Sequence, residues 1–208
     1  MKLCISLLVA IANVVLAVPA AVVQSVEARH LNQDVPSIDD PNFIKTVMDA
    51  HWFWRRMHCA QELSWDPNLA QQALTSANSC SRNVQHDKVG SNLSGVTPPP
   101  SEYEQWIKMA RDCIHGWHEE EPKYPYGSPQ IEAHAGYLHF TQMVWRDTTR
   151  IGCAMSNCND LTDSSPARIY CFYETPGNNV VEGEFERNVW PPVCYAPSRQ
   201  EAEHRFGY

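Results

Sequence analysis

The chain has 208 residues, which is enough for one domain with a full hydrophobic core. Its formal net charge is −8, and an acidic protein is poorly suited to binding nucleic acid or anionic membrane surfaces. Hydrophobic residues make up 43% and charged residues 19% of the sequence, which is typical of a globular protein and excludes a disordered one.

Residues 1–20 have the pattern of a secretory signal peptide. Lys2 is followed by an apolar run at residues 5–16 and then by small residues suited to cleavage. The run is shorter than a membrane-spanning helix requires, and no later stretch is apolar enough to cross a bilayer. An uncleaved anchor is the alternative. Residues 21–40 have no sustained period and are predicted to be a linker or a propeptide-like N-terminal lead. From the signal-peptide pattern we expect a secreted, extracellular protein without a membrane span.

Two Asp-Pro pairs predict where the first two helices begin. Asp40 precedes Pro41 and Asp66 precedes Pro67, and each pair is an N-cap followed by proline at the first helical position. An apolar stripe with helical spacing follows the first pair and ends at His51. Taken alone, His51 is most simply interpreted as a buried histidine that bonds to the backbone.

A third helix is predicted after three consecutive prolines. Ser101 and Glu104 have the spacing of a capping box, and the apolar stripe that follows ends at Trp117. Glu120 lies three residues beyond Trp117 and therefore shares the buried face near the helix end. The alternative is that Glu120 belongs to a solvated acidic run.

Residues 138–148 place polar side chains among large apolar ones. The stretch begins Leu138-His139-Phe140-Thr141-Gln142-Met143-Val144-Trp145. Polar groups held against such a core must be hydrogen-bonded, bound to a ligand, or located at a cleft. Beyond it, residues 151–155 and 169–173 are β-prone runs joined by a polar loop, which predicts an antiparallel pair. The tail at residues 191–208 is polar and is predicted to be loose.

These motifs together resemble the CAP superfamily, which comprises cysteine-rich secretory, antigen 5 and pathogenesis-related-1 proteins. Residues 138–148 are similar to its Gly-His-Phe-Thr-Gln-x-x-Trp signature, with Leu138 in place of the glycine. A second signature follows in the expected order, Tyr170-Cys171-Phe172-Tyr173 and then Pro176-Gly177-Asn178. The resemblance indicates a fungal-type secreted member with a CAP domain at residues 41–190. It implies an α+β fold, a three-layer α-β-α sandwich with a small antiparallel sheet stapled by disulfides.

The resemblance also implies a central ligand cleft. His51 is matched to the first cavity histidine of the family, His139 to the second, and Glu120 to a cavity glutamate. Ser91 stands where the family has a further cavity glutamate. Imidazole nitrogens near a carboxylate suit a divalent metal such as zinc, with His51 and His139 as its ligands, although no cofactor is required.

Seven cysteines follow Cys4 of the predicted signal peptide. In an oxidising compartment most of them should form disulfides, and an odd number leaves one thiol over. The predicted strand pair suggests a Cys158–Cys171 bond, and the resemblance implies a Cys80–Cys153 bond.

Three cysteines are then left for one further bond. We pair Cys59 with Cys194 and expect Cys113 to be a buried thiol, although the sequence leaves open which of the three is unpaired. Asn92 lies in a glycosylation sequon. Because that asparagine falls inside a family core motif, we expect the sequon to be unused.

Three classes of function compete. The first is a secreted protein that binds a small hydrophobic ligand, such as a sterol or fatty acid, or an extracellular protein. The second is a metal-assisted hydrolase or protease, and the third is a non-catalytic signalling or effector module. We favour the first over an enzyme because the sequence contains no identifiable catalytic triad or His-Glu-x-x-His motif, and because Ser91 removes a candidate general acid or base. However, residues 76–90 lack the aromatic side chains of sterol-binding family members.

Overall fold

The structure is a computed structural model that describes residues 34–82, 84–129, 135–159, 165–198, 200–201 and 204. The predicted signal peptide and most of the predicted linker lie outside these residues. The helices bounded within them are α1 (Pro41–Met57), α2 (Pro67–Asn78), α3 (Tyr103–His118), α4 (Leu138–Val144) and α5 (Glu184–Asn188). A short 3-10 helix spans Glu121–Lys123. The strands are β1 (Ser64–Trp65), β2 (Ser91–Val96), β3 (Arg150–Asn157) and β4 (Ala167–Glu174).

The first two helices begin where the Asp-Pro pairs predicted. Oδ1 of Asp40 accepts hydrogen bonds from the backbone N–H groups of Asn42 and Phe43, at 2.8 and 3.0 Å. Oδ1 of Asp66 caps α2 in the same way. Both aspartates satisfy N–H groups that have no partner within their own helix.

The capping box predicted for α3 is wrong. The helix begins at Tyr103, one residue later than that pattern requires, and its N-cap Glu102 makes no side-chain capping bond. Instead, Oε1 of Gln105 accepts a hydrogen bond from the backbone N–H of Ser101 at 3.0 Å. The turn before α3 is therefore held by an amide from inside the helix.

The sheet has the strand order β1-β3-β4-β2. β3 and β4 pair antiparallel, with Ile151 opposite Tyr173, which confirms the predicted pair. β2 also pairs antiparallel with β4, whereas β1 pairs parallel with β3. The sheet is thus antiparallel except for one short parallel strand at its edge.

Helices cover both faces of the sheet, which confirms the predicted three-layer sandwich. The larger core joins α1, α3 and α4 to one face, and side chains such as Ile151 and Cys153 point into it. The smaller core joins α2 to the opposite face through Ala154, Tyr170 and Phe172. Alternate residues of a strand point to opposite faces, so both faces of β3 and β4 are buried.

α2 approaches the sheet most closely at Gly152. A Cβ atom at this position would lie 2.1 Å from the backbone nitrogen of Ala70 and 2.6 Å from the backbone oxygen of Asp66. No side chain fits in that space, so glycine permits the close packing of α2 on β3.

Two of the predicted disulfides are wrong. The structure pairs Cys153 with Cys171 and Cys80 with Cys158. Cys153 and Cys171 are directly opposite in the β3–β4 ladder, with Cα atoms 4.1 Å apart. Cys158 lies beyond the end of β3 and donates its N–H to the backbone oxygen of Pro166. Pro166 is five residues before Cys171, which is about 16 Å at the usual rise per residue of a strand. Cys158 is therefore too far from Cys171 to form a disulfide with it.

The third bond joins Cys59 to Cys194, as expected from the sequence, with a Cα–Cα distance of 5.3 Å. Cys113 is free and half-buried. The Cys59–Cys194 bond also corrects the prediction of a loose tail at residues 194 and 195. The backbone N–H of Cys194 donates to the oxygen of Met57, and the Arg56 guanidinium lies 4.6 Å from the ring centroid of Tyr195.

Candidate functional site

A polar pocket opens where three distant segments meet. Its volume is about 510 Å³. The lining comes from the loop before β2 and its first residues (86–92), from Leu138, His139 and Gln142 of α4, and from Gly177 and Asn178 after β4. The pocket contains His139 and Ser91 of the predicted cleft.

Glu120 fixes the orientation of His139. Oε1 of Glu120 lies 2.8 Å from Nδ1 of His139, and Oε2 accepts hydrogen bonds from the backbone N–H groups of His139 and Phe140. A carboxylate only accepts hydrogen bonds, so Nδ1 of His139 carries the proton. In the neutral ring, Nε2 then keeps its lone pair for a ligand.

Ser91 fixes the orientation of His86 in a similar way. The Ser91 hydroxyl lies 2.7 Å from the backbone oxygen of Lys88 and 2.8 Å from Nδ1 of His86. Because a carbonyl oxygen cannot donate, the single hydroxyl hydrogen goes to Lys88, and Nδ1 of His86 must donate to Ser91. Nε2 of His86 therefore also keeps its lone pair in the neutral ring.

The two oriented imidazoles lie close together in the lining of the pocket. The ring centroids of His86 and His139 are 5.8 Å apart, and their planes are inclined by 26°. Partial burial, and then the neighbouring His139, lower the pKa of His86. This keeps His86 neutral over a wider pH range and able to bind metal or accept a hydrogen bond.

Other polar residues of the α4 signature hold the pocket together. Oε1 of Gln142 accepts a hydrogen bond from the backbone N–H of Gly177 at 2.8 Å. The Thr141 hydroxyl bonds to the Asn178 side chain, whose Nδ2 donates to the oxygen of Leu138. Thr141 and Gln142 thus fix the turn after β4 against α4.

The buried side chain of Asn92 holds the backbone of His139 in place from the core side of the pocket. Its side chain is 1% exposed, and Nδ2 donates to the backbone oxygen of His139 at 2.9 Å. An N-linked glycan needs this nitrogen at the surface, so the geometry agrees with an unused sequon.

Comparison with known sequences decides the family. Residues 48–173 match the sequence profile of CAP, the cysteine-rich secretory protein family. The chain belongs to the CAP family.

Fungal relatives are prominent among the similar proteins. The CAP chain is 32% identical over 169 residues to "Secreted protein RBT4" of Candida albicans, and the match covers 77% of this chain but only 42% of RBT4. It is also 32% identical over 154 residues to a probable pathogenesis-related protein of Candida albicans, covering 72% of this chain and 67% of that protein. The CAP chain is accordingly a secreted, extracellular protein, and its three disulfides suit an oxidising compartment.

Solved structures share the CAP fold at low sequence identity. The crystal structure of NaASP2 with Zn²⁺ matches with a TM-score of 0.55 and 14% identity, covering 79% of this chain and 98% of that one. At this identity the likeness supports the fold alone. Among the described residues of the CAP chain, no helix is long and apolar enough to span a bilayer.

The prediction that His51 lines the cleft and binds metal is wrong. His51 is 1% exposed and does not line the pocket. Its Nδ1 donates to the backbone oxygen of Val47, and its Nε2 lies 2.8 Å from the Tyr173 hydroxyl. Both ring nitrogens are therefore used inside the core, and burial lowers the pKa of His51 to about 3.

His86 is the pocket histidine that sequence reasoning missed. It lies in a polar loop without helical or strand periodicity, so no pattern singled it out. The available signal was its position five residues before Ser91, in the segment that leads into the family's Gly-x-Asn-Leu motif.

Metal-type ligands also meet outside this pocket. Within the described ranges, one group of His, Cys, Asp or Glu side chains has three ligand atoms within 4.8 Å of one another: His58, His118 and Glu121. None of the three lines the pocket.

Proposed function

We propose that this CAP protein is a non-catalytic extracellular binding protein whose pocket holds a divalent cation of the zinc class on Nε2 of His86 and His139. The observation that carries the proposal is the hydrogen-bond arrangement, because Ser91 and Glu120 each occupy the Nδ1 atom of one histidine. Two neutral imidazoles with oriented Nε2 atoms are nitrogen ligands suited to zinc.

The same pocket gives little support to a sterol or fatty acid as ligand. Burying such a molecule is driven by apolar contact, at about 25 cal/mol per Å². Among the described lining residues, Val89 and Leu138 are the only ones with purely aliphatic side chains, and Val89 is 77% exposed. We therefore propose a small polar ligand, bound directly or through the cation.

A nucleophilic role for Ser91 is disfavoured. Its hydroxyl hydrogen goes to the oxygen of Lys88, and His86 donates to it rather than accepting from it. A serine nucleophile needs the opposite arrangement, with histidine as the base. Glu120 is likewise committed to orienting His139.

Two protein ligands are fewer than the three of typical catalytic zinc sites, so weak cation binding is expected. Secreted protein should be titrated with Zn²⁺ by calorimetry at pH 7.5. NaASP2, a protein of this fold solved with Zn²⁺, makes this ion the first probe. We expect His86→Ala and His139→Ala each to weaken Zn²⁺ binding at the pocket at least tenfold while the fold is retained. Val89→Ala, which shortens a lining side chain without a ligand atom, should leave it unchanged.

Two results would contradict this function. One is an unaltered Zn²⁺ titration in a folded variant that carries both histidine substitutions. The other is Zn²⁺-dependent hydrolysis of ester or peptide substrates that disappears in His139→Ala, which would establish the hydrolase alternative.

A further inference from the structure

The ends of α1 and α3 bring together a second set of ligand atoms. His58 directly follows α1, His118 is the last residue of α3, and Glu121 begins the 3-10 helix. The Nε2 atoms of the two histidines are 2.9 Å apart. Oε2 of Glu121 lies 3.5 Å from Nε2 of His118 and 3.9 Å from Nε2 of His58. We propose that these three side chains bind a second divalent cation of the zinc class.

The distances fit a tetrahedral ion. With Zn–N and Zn–O bonds of about 2.0–2.1 Å, neighbouring ligand atoms of a tetrahedral site are about 3.3 Å apart. The three observed separations lie on both sides of this value, so shifts of a few tenths of an ångström would place all three atoms around one ion. One carboxylate and two imidazoles are also a ligand set that zinc accepts.

The hydrogen-bond partners of the two histidines leave a place for a proton or a metal ion between their Nε2 atoms. Nδ1 of His58 lies 2.6 Å from the backbone oxygen of Trp190 and must donate to it. Nε2 of neutral His58 is therefore a lone pair directed at Nε2 of His118, and a single proton or a metal ion must lie between them. Burial lowers the pKa of His58, and that of His118 to about 3, which favours neutral, metal-binding rings.

The surrounding residues hold each ligand in position. Trp190 orients His58, and the Tyr126 hydroxyl donates to Oε1 of Glu121 at 3.0 Å. The Trp54 ring stacks on His118 with centroids 3.6 Å apart and planes inclined by 12°. Such outer partners fix ring orientation and ligand basicity in metal sites.

The site would act as a staple between two helices. His58 is fully buried and His118 is 7% exposed, which leaves little room for a substrate. The Glu121 side chain is 21% exposed and provides a way in for the ion. An ion here would tie the C-terminal ends of α1 and α3 together and, through the Trp190 carbonyl, the segment after α5.

The test uses the full secreted chain with both pocket histidines replaced by alanine, so that the two sites are measured separately. We expect one equivalent of Zn²⁺ to bind and Co²⁺ to give the intense visible absorption of tetrahedral coordination. Saturating Zn²⁺ at a hundred times the dissociation constant should raise the melting temperature by about 5–10 °C. Glu121→Gln should weaken binding at least tenfold, and His118→Gln should do the same.

Glu119→Gln is the matched control, because it removes the same charge from an exposed neighbour and should leave the affinity unchanged. The proposal is overturned if the folded pocket variant binds no Zn²⁺ or Co²⁺, or if its affinity is the same after Glu121→Gln. Loss of the pocket titration alone, with this one retained, would leave the staple standing and remove only the proposed pocket function.

Discussion

Two histidines of this domain use their ring nitrogens in opposite ways. His139 has Nδ1 bonded to Glu120 and lines the pocket, whereas His51 has both nitrogens bonded inside the core. The difference lies in what each side chain meets and not in its chemistry. A pocket histidine is held from one side only, and a core histidine is held from both.

Burial of neutral His51 predicts that acid weakens the fold. Its pKa is about 3 in the native protein, against 6.5 for a histidine exposed to water. Between these values the unfolded state binds a proton that the native state does not, so the free energy of unfolding falls as pH drops below 6.5. His51 should contribute about 1.4 kcal/mol per pH unit to this slope.

The measurement is urea unfolding of wild type and His51→Gln between pH 7 and 4. The slope in the variant should be smaller by that amount, while His204→Gln, which changes an exposed histidine, should leave it unaltered. Equal slopes in wild type and His51→Gln would show that His51 is protonated in the native state.

Sequence alone distinguished these roles only in part. His139 was recognised as a cleft residue because it lies in a dense motif. His51 was misplaced because a residue at the end of an apolar helical stripe lies as easily beside a cleft as inside a core. His86 was missed because its role depends on contact with His139 of a distant helix, which the loop sequence does not encode, and its spacing from Ser91 was the only local signal.

At the scale of elements, Gly152 of β3 and Gly116 of α3 form a matched pair for testing how closely α2 packs on the sheet. Gly152 is in contact distance of the α2 backbone, whereas a Cβ at Gly116 of α3 would have no atom within 4 Å. Gly152→Ala should destabilise the protein by about 3 kcal/mol or more, since the overlap is with backbone that cannot rotate away. Gly116→Ala should stabilise it by up to about 1 kcal/mol through helix propensity.

Thermal and urea unfolding of the two variants would check this comparison. A Gly152→Ala protein as stable as wild type would mean that α2 lies farther from β3 than these distances require. The pair is informative because the chemical change is identical and only the space around the added methyl differs.

Elements with local signals were predictable, and those with only distant partners were not. Asp40 and Asp66 mark helix starts within a few residues of sequence. β1 has two residues and exists only because its Ser64 and Trp65 meet β3 in parallel register. Cys158 was assigned wrongly because its true partner, Cys80, is brought near by the packing of α2.

At the scale of the molecule, the three disulfides join different parts of the fold. Cys153–Cys171 lies within the sheet, Cys80–Cys158 ties the end of α2 to the end of β3, and Cys59–Cys194 ties the end of α1 to the tail. The first bond joins two strands of one layer, the second joins a helix to the sheet, and the third joins a helix to the C-terminal segment.

Peptide mapping without reduction should recover these three pairs. Cys113 should react slowly with alkylating reagents in the native protein and quickly in urea, because burial raises the pKa of its thiol to about 11. Replacing both Cys80 and Cys158 by serine should lower the free energy of unfolding by about 2–4 kcal/mol. A linked peptide containing Cys158 and Cys171 would contradict the assignment.

The way in which the pocket loop is held separates the residues that fix its backbone from those that line its opening. The backbone of Gly90 accepts a hydrogen bond from Tyr173, and that of Lys88 accepts one from Ser91, so main-chain oxygens and a buried hydroxyl fix the loop. The side chains of Asp87 and Val89 are exposed and line the opening. Under the proposed binding function, exchanging these two residues should change what the pocket binds at little cost to folding, which makes this rim a natural starting point for directed diversification.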